Sequence, residues 1–194
     1  MNTRTDNDGQ SPRYGQGRDA LVAAAIRVVA NHGLRKLTYR AVAHEAGVTY
    51  GLVSHHFGSR DALIQAALEH SVRASVVAFT TAPGSGDIDA LFGNLSEMVD
   101  ADPGTQAFQY ELILEARRRP ELRPLVDDLY KAYRKVLAQE FSCSALPVDD
   151  ALVRLVFAAL DGLVFQQTAL GGADNTRDAL SRLRDILNGL KRQP

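Results

Sequence analysis

The sequence predicts an all-α protein, on three observations. Apolar residues recur at helical spacing from Arg18 to Leu190. No stretch shows the strict alternation of a half-buried strand. Gly, Pro and Ser/Thr/Asp punctuation cuts the chain into segments of helical length.

The 194 residues, 45% of them apolar, suffice for a substantial core. No run approaches the ~18 consecutive apolar residues of a membrane span, so no membrane partner is expected. The N-terminus has no apolar signal region. The one cysteine, Cys143, allows no intrachain disulfide, and a reducing cytoplasm is the expected compartment. The net charge of −1 hides an asymmetry: residues 1–60 carry +4 and residues 61–194 carry −5. A basic front on an acidic body suits a polyanion-binding module joined to a part that does not bind polyanions.

Residues 1–17 are polar and Gly/Pro-spotted and read as a disordered arm, with Arg4 and Arg13 as candidate phosphate contacts. From Arg18, Leu21, Ala25, Val28 and Val29 mark one face of a first helix, and Gly33 suits the left-handed position after it. Thr38 is a good N-cap for a second helix that stops at Gly47. Thr49 caps a short third helix through Phe57, and Ser59 a long fourth one from Arg60 to about Thr80. Residues 82–87 form a turn cluster. Helical periodicity resumes over Ile88–Val99 and again over Gln106–Arg119. Pro120 and Pro124 then force a new start on a helix reaching about Phe141. Asp149 or Asp150 caps the helix Ala151–Leu170, Gly171-Gly172 ends it, and Thr176–Leu190 is the last helix.

The chemistry is concentrated in "AVAHEAGVTYGLVSHHFGSRDAL", residues 41–63. A zinc-protease helix would need a second His at position 48, where Val stands. His55 and His56 are adjacent, about 100° apart on a helix, and do not converge on one ion. Ser54 does not face either His on a helix, and no strand-turn-helix elbow surrounds it. Metal binding and nucleophilic catalysis are therefore poorly supported, and no cofactor is expected. A third reading explains more residues. Ala43, four residues before Gly47, lets two short helices cross closely; Gly47 takes the positive φ of the turn; Val42, Val48 and Val53 form the contact. That is the layout of a helix-turn-helix, whose second helix enters the DNA major groove. Thr49 opens that helix with N–H groups suited to phosphate. Gly51, costly inside a helix, makes sense against a groove wall or simply as a weak first turn.

Residues 37–64, "LTYRAVAHEAGVTYGLVSHHFGSRDALI", resemble the DNA-binding domain of TetR-type transcriptional regulators. The matching features are Thr38 and Arg40, Ala43, "AGVT" at the turn, Gly51, "HHF" at 55–57 and the Arg60-Asp61-x-Leu63 start of the fourth helix. The resemblance implies a helix-turn-helix domain over residues 18–64 and a helical effector-binding and dimerisation domain over 65–194. It also implies a homodimer on near-palindromic double-stranded DNA, with a repressor more usual than an activator, released by a small molecule. The DNA-contacting candidates are then Thr38, Arg40, Thr49, Tyr50, Gly51, Ser54, His55, His56 and Arg60. Two positions depart from the family. Ser54 stands where a phosphate-reaching Tyr is usual, and Tyr50 where Lys, Arg or another base-facing residue is common. A helical small-molecule carrier or enzyme with a degenerate DNA-binding head is the alternative.

In the C-terminal part, Met98, Phe108, Tyr110 and Phe157 are candidates to line an effector cavity, with ordinary core as the plain alternative. Glu111 and Glu115, four apart in an otherwise apolar helix, suit a cationic or polyol ligand if buried; exposed, they pair with Arg117–Arg119 or water. The last two helices carry an apolar surface broader than one chain is expected to cover, with sealing of the monomer core as the plain alternative. Leu152, Leu155, Val156, Ala159, Leu163 and Val164 lie on the first; Leu180, Leu183, Ile186, Leu187 and Leu190 on the second. A homodimer through residues 151–190, packed as a four-helix contact, would bury the rest.

Overall fold

The computed structural model describes residues 14–79, 83–147 and 149–191, and every regular element among them is helical. Arg4 and Arg13 lie outside the described residues. The first helix, α1 (Tyr14–His32), begins one turn before the expected Arg18. Its buried face carries Leu21, Ala25, Val28 and Val29, as the spacing predicts. Gly33 closes it at a positive φ of 80°, with ψ of 158° outside the left-handed helical well, and a single 3-10 turn, Leu34–Lys36, follows.

Thr38 caps α2 (Tyr39–Ala46), its hydroxyl accepting from the Ala41 N–H at 3.1 Å. Gly47 is left-handed, φ 66° and ψ 32°, and the Val48 N–H returns to the Ala43 carbonyl at 2.9 Å. That bond is the six-to-one closure that fixes the turn. Thr49 stands at the N-cap of α3 (Tyr50–Phe57) without a side-chain cap bond. The Ser59 hydroxyl accepts from Ala62 and opens α4 (Arg60–Phe79).

The expected Ile88–Val99 helix is two helices, α5 (Ile88–Gly93) and α6 (Leu95–Ala101), parted at Gly93-Asn94 by two weak helix formers. Next, α7 (Pro103–Ala116) begins earlier than Gln106. Pro103 occupies a first-turn position that needs no N–H, and Asp102 accepts from the Thr105 N–H at 3.0 Å. A 3-10 turn at Pro120–Leu122 leads into α8 (Arg123–Cys143). Asp149, rather than Asp150, caps α9 (Asp150–Leu170), accepting from Leu152 at 2.7 Å. After Gly171 and Gly172, both at positive φ, α10 (Ala173–Leu190) starts before the expected Thr176. Among the described residues α9 alone is long and apolar enough to cross a membrane; Val153, Val156, Leu160 and Val164 face the interior.

Two apolar clusters fill the interior. The first joins α1–α4 with Phe108, Leu112 and Ala116 of α7 and with Leu122 and Leu129. Residues 18–64 therefore do not close their own core; α7 closes it. The second cluster unites the end of α4 with α5, α6 and α8–α10. Where α4 passes from one cluster to the other, Ser71 and Ser75 are buried against α7. Gln109 donates to Ser71 at 3.2 Å, Gln106 donates to Ser75 at 3.2 Å, and Tyr133 of α8 donates to Gln109 at 3.0 Å. Each buried polar group here has a partner, so the layer fixes register without leaving donors stranded.

Candidate DNA-reading surface and internal cavity

The inner faces of α2 and α3 are set by Val42, Ala43, Val53 and Phe57, all buried. That leaves Thr38, Arg40, Thr49, Tyr50, Gly51 and His55 exposed and Ser54, His56 and Arg60 half-buried. Tyr50 is 53% exposed, and its ring lies 5.8 Å from that of Tyr39, tilted by 58°. The two tyrosines form an aromatic step at the start of the two helices. The Tyr39 hydroxyl is buried with no hydrogen-bond partner, and burial pushes its pKa up. A Cβ added at Gly51 would meet no atom within 4 Å. Internal packing does not demand glycine there, so any steric demand comes from outside the chain.

Arg60, a candidate DNA contact, has carbonyl partners within the chain. Its Nε donates to the Leu37 carbonyl at 2.8 Å and its Nη2 to the Leu34 carbonyl at 2.6 Å. Two of its donor atoms thus anchor the segment just before Thr38. His56 packs against its neighbours, 5.8 Å ring to ring from His55 and 6.3 Å from Phe57. Among the described residues no three His, Cys, Asp or Glu side chains are grouped to hold a metal ion.

A cavity partly open to solvent lies between α4, α6, α7, α8 and α9, with about 590 Å³ of non-atom space when the open solvent at its mouth is included. Of the residues singled out from sequence, Met98, Tyr110 and Phe157 line it. Phe108, Glu111 and Glu115 do not. They lie on the other face of α7, because each helical step turns about 100°. Phe108 is fully buried in the first cluster. Glu111 accepts from the Leu34 N–H. Glu115 pairs with Arg118 at 2.5 Å, and that hydrogen bond draws its pKa down.

The polar centre of the cavity is Asp161, which sequence reasoning missed. Tyr110 donates to its carboxylate at 3.1 Å and to its backbone carbonyl at 3.0 Å; Tyr130 reaches the other carboxylate oxygen at 3.4 Å. Burial raises the Asp161 pKa, and the two tyrosine hydrogen bonds pull it partly back. Burial beside this carboxylate pushes Tyr130 up to about 12 and Tyr110 further. The available signal was an acid in the middle of an apolar helix, where an unpaired charge is costly.

Residues 21–67 match the family described as bacterial regulatory proteins, tetR family, and residues 86–189 match the tetracyclin repressor-like C-terminal domain. The HTH-type transcriptional regulator BetI of Agrobacterium fabrum is 32% identical over 157 residues, covering 78% of this chain and 76% of that protein. A transcriptional regulator from a Rhodococcus species superposes with a TM-score of 0.76 at 25% identity, over 91% of this chain and 99% of that one. The multidrug binding protein EbrR, solved with ethidium, superposes with a TM-score of 0.64 at 31% identity, over 88% of this chain and 99% of that one. With both halves matched, the chain belongs to the TetR family of bacterial transcriptional regulators.

Proposed function

We propose that this regulator is a repressor that binds a near-palindromic operator as a homodimer and leaves it when a small molecule fills the cavity between α4 and α9. The observation that carries this reading is the double face of α7. Gln106, Gln109, Tyr110 and Ile113 line the cavity, while Phe108 and Leu112 of the same helix are core residues of the DNA-binding head. A ligand that moves α7 or the α4 serines hydrogen-bonded to it moves the head. Two recognition helices must sit ~34–36 Å apart to enter successive major grooves, so a small rotation of each head costs affinity. EbrR, similar over 88% of this chain, is solved with ethidium, which supports a small-molecule role for this fold.

On the DNA side, α3 presents Thr49, Tyr50, Gly51 and His55 to the groove, with Thr38 and Arg40 toward phosphate. Ser54 and His56 flank them, and Arg60 holds the Thr38 segment in place. Dimerisation uses α9 and α10. Leu155, Phe165, Leu170, Ile186 and Leu190 are exposed there, a concentration of large apolar side chains that a lone chain leaves wet.

The test selects bound duplexes from a random pool and measures affinity by fluorescence anisotropy against salt. A two-fold-related consensus and a steep loss of affinity with salt are expected. Failure to enrich any sequence would overturn the reading.

A further inference from the structure

Inside the cavity the balance of charge is one-sided. Asp161 is the single ionisable acid among the lining residues, and no Lys, Arg or His lines the space with it. Its carboxylate forms no ion pair among the described residues; its partners are the neutral hydroxyls of Tyr110 and Tyr130. Around it stand four rings. Phe157 packs edge-on against Tyr130 at 5.3 Å and is stacked near Tyr133 at 6.3 Å, and Tyr110 lies across the carboxylate. Met98, Leu129, Leu137 and Val164 complete an apolar wall. Phe157 already takes one cation: the Arg134 guanidinium, which does not line the cavity, lies 5.9 Å from its ring centroid.

From this arrangement we infer that the effector is a monovalent organic cation with its charge spread over a quaternary ammonium or an aromatic ring system, held by Asp161 and the faces of Tyr110, Tyr130, Tyr133 and Phe157. The inference rests on the reading that this cavity is the effector site.

Three steps of chemistry support it. A half-buried carboxylate without a counter-ion is costly, and a bound cation supplies the missing charge where screening is weak. A neutral ligand would leave that charge unpaired, and an anion would be repelled by it. Each carboxylate oxygen already accepts from a tyrosine, so the site offers charge and ring faces more than fresh hydrogen-bond acceptors. That favours a cation recognised by its field and by cation–π contact over a primary amine that seeks three acceptors. One acid matches one charge, so a dication would bring an unpaired charge into an apolar wall.

The test uses two probes of one shape, (4-hydroxyphenyl)trimethylammonium and 4-tert-butylphenol, which differ by a charged nitrogen in place of a carbon. Calorimetry on the full-length protein is expected to show the cation binding about ten-fold or more tighter than the phenol. Asp161→Asn should remove that preference while leaving affinity for 4-tert-butylphenol unchanged, and Asp161→Glu should keep part of it. Circular dichroism on both variants establishes that they are folded. Equal affinity for the two probes, an Asp161→Asn variant that still prefers the cation, or no binding of either probe would overturn the inference. Anisotropy with a selected duplex separates this from the regulatory reading. A cation that binds through Asp161 without weakening DNA binding upholds the site and overturns release. A neutral compound that occupies the cavity and releases DNA, while the cation does not bind, does the reverse.

Discussion

The Glu111 carboxylate on α7 accepts a hydrogen bond from the backbone N–H of Leu34 at 3.4 Å, across 77 residues of sequence. The residue before it, Tyr110, touches the cavity carboxylate. Two consecutive residues of one helix therefore face the cavity and the turn that precedes the helix-turn-helix. Gly33 adds to the contact: a Cβ there would stand 3.3 Å from the Glu111 Oε2 on a backbone already at φ +80°.

This contact is a candidate route of coupling, and it predicts a separation of effects. Glu111→Ala should leave cavity affinity for the cationic probe within about two-fold while reducing the factor by which the probe weakens DNA binding. Couplings of this kind run from about 5- to 150-fold, so the loss is measurable. Parallel titrations of probe and duplex, in both orders, check it by reciprocity. An unchanged coupling factor would remove Glu111 from the route and leave the α4 serines to carry it.

The recognition surface predicts two different phenotypes. Tyr50 is exposed on α3, braced by Tyr39, and Tyr50→Ala should cost about 1–3 kcal/mol on the preferred duplex and relax base preference at one position per half-site. Thr38 holds the first turn of α2 through Ala41, so Thr38→Ala should weaken all duplexes alike. It should also lower stability by about 1 kcal/mol through loss of the cap. Competition binding with base-substituted duplexes and thermal melts distinguish the two. Uniform weakening by Tyr50→Ala would mean that Tyr50 touches backbone, not bases.

The helix-turn-helix was legible because its signals are local: a cap at Thr38, a left-handed Gly47 and apolar residues at fixed offsets all act within a few residues. The all-helical architecture was legible for the same reason. The cavity was not. Which face of α7 meets the cavity depends on α4 and α8 packing beside it, and periodicity alone marks Phe108 and Tyr110 equally. Thus Glu111 and Glu115 drew notice by their spacing, while Asp161 carries the charge in the cavity. The split between α5 and α6 was missed because Phe92 and Leu95 keep the apolar pattern going across Gly93-Asn94. The carbonyl partners of Arg60, Leu34 and Leu37, lie 26 and 23 residues away, so no local signal marks them.

The segment between α4 and α5 depends on one buried acid. The Glu140 carboxylate accepts from the Gly84 N–H at 2.6 Å and from the Gly86 N–H at 3.0 Å. Gly86 sits at φ +70°, and a Cβ there would lie 2.3 Å from the Cys143 carbonyl. Gly86→Ala should therefore destabilise by more than about 2 kcal/mol, since strain and a backbone clash add. Glu140→Gln keeps one acceptor oxygen and should cost about 1–3 kcal/mol. Urea melts measure both. A Gly86→Ala variant as stable as the parent would show that the loop relaxes freely.

Asp161 gives stability a pH dependence of definite sign. Burial raises its pKa in the folded protein, with Tyr110 and Tyr130 in contact, Tyr133 on the same helix as Tyr130, and Arg134 beyond Phe157. The folded state then holds this proton more tightly than the unfolded state does. Its stabilising share is complete below the ordinary Asp value of about 3.9 and is lost as pH rises through the raised folded value. At neutral pH Asp161→Asn, which carries no charge to bury, should melt higher than the parent when no cation is present. The difference should close on acidification, and a saturating cation should narrow it at neutral pH. A lower melting temperature for Asp161→Asn at pH 7 would mean that the carboxylate's hydrogen bonds outweigh its desolvation.

The proposed dimer seam on α9 and α10 predicts which substitutions split a dimer and which unfold the subunit. Val156, Val164, Leu180 and Leu187 are buried within the monomer, and Leu183 packs half-buried against the same core, so a charge at any of these would unfold the subunit as readily as split a dimer. Leu155 is 68% exposed, Leu170 84% and Ile186 55%, while Ala158 and Ala159 leave the middle of α9 shallow enough for a partner helix to approach. A face of large residues at its ends and small ones at its centre suits close helix packing across a two-fold axis. Leu155→Glu and Ile186→Glu alter side chains that are mostly exposed in the subunit and lie outside its buried core. Each places two like charges near one another across a symmetric seam and should give a folded, helical monomer. That monomer should lose operator affinity steeply, because one recognition helix then binds without its twin. Sedimentation, circular dichroism and anisotropy on the same samples settle the assignment. If both variants stay dimeric at micromolar concentration and hold DNA as the parent does, α9 and α10 do not form the seam, and the exposed face needs another partner.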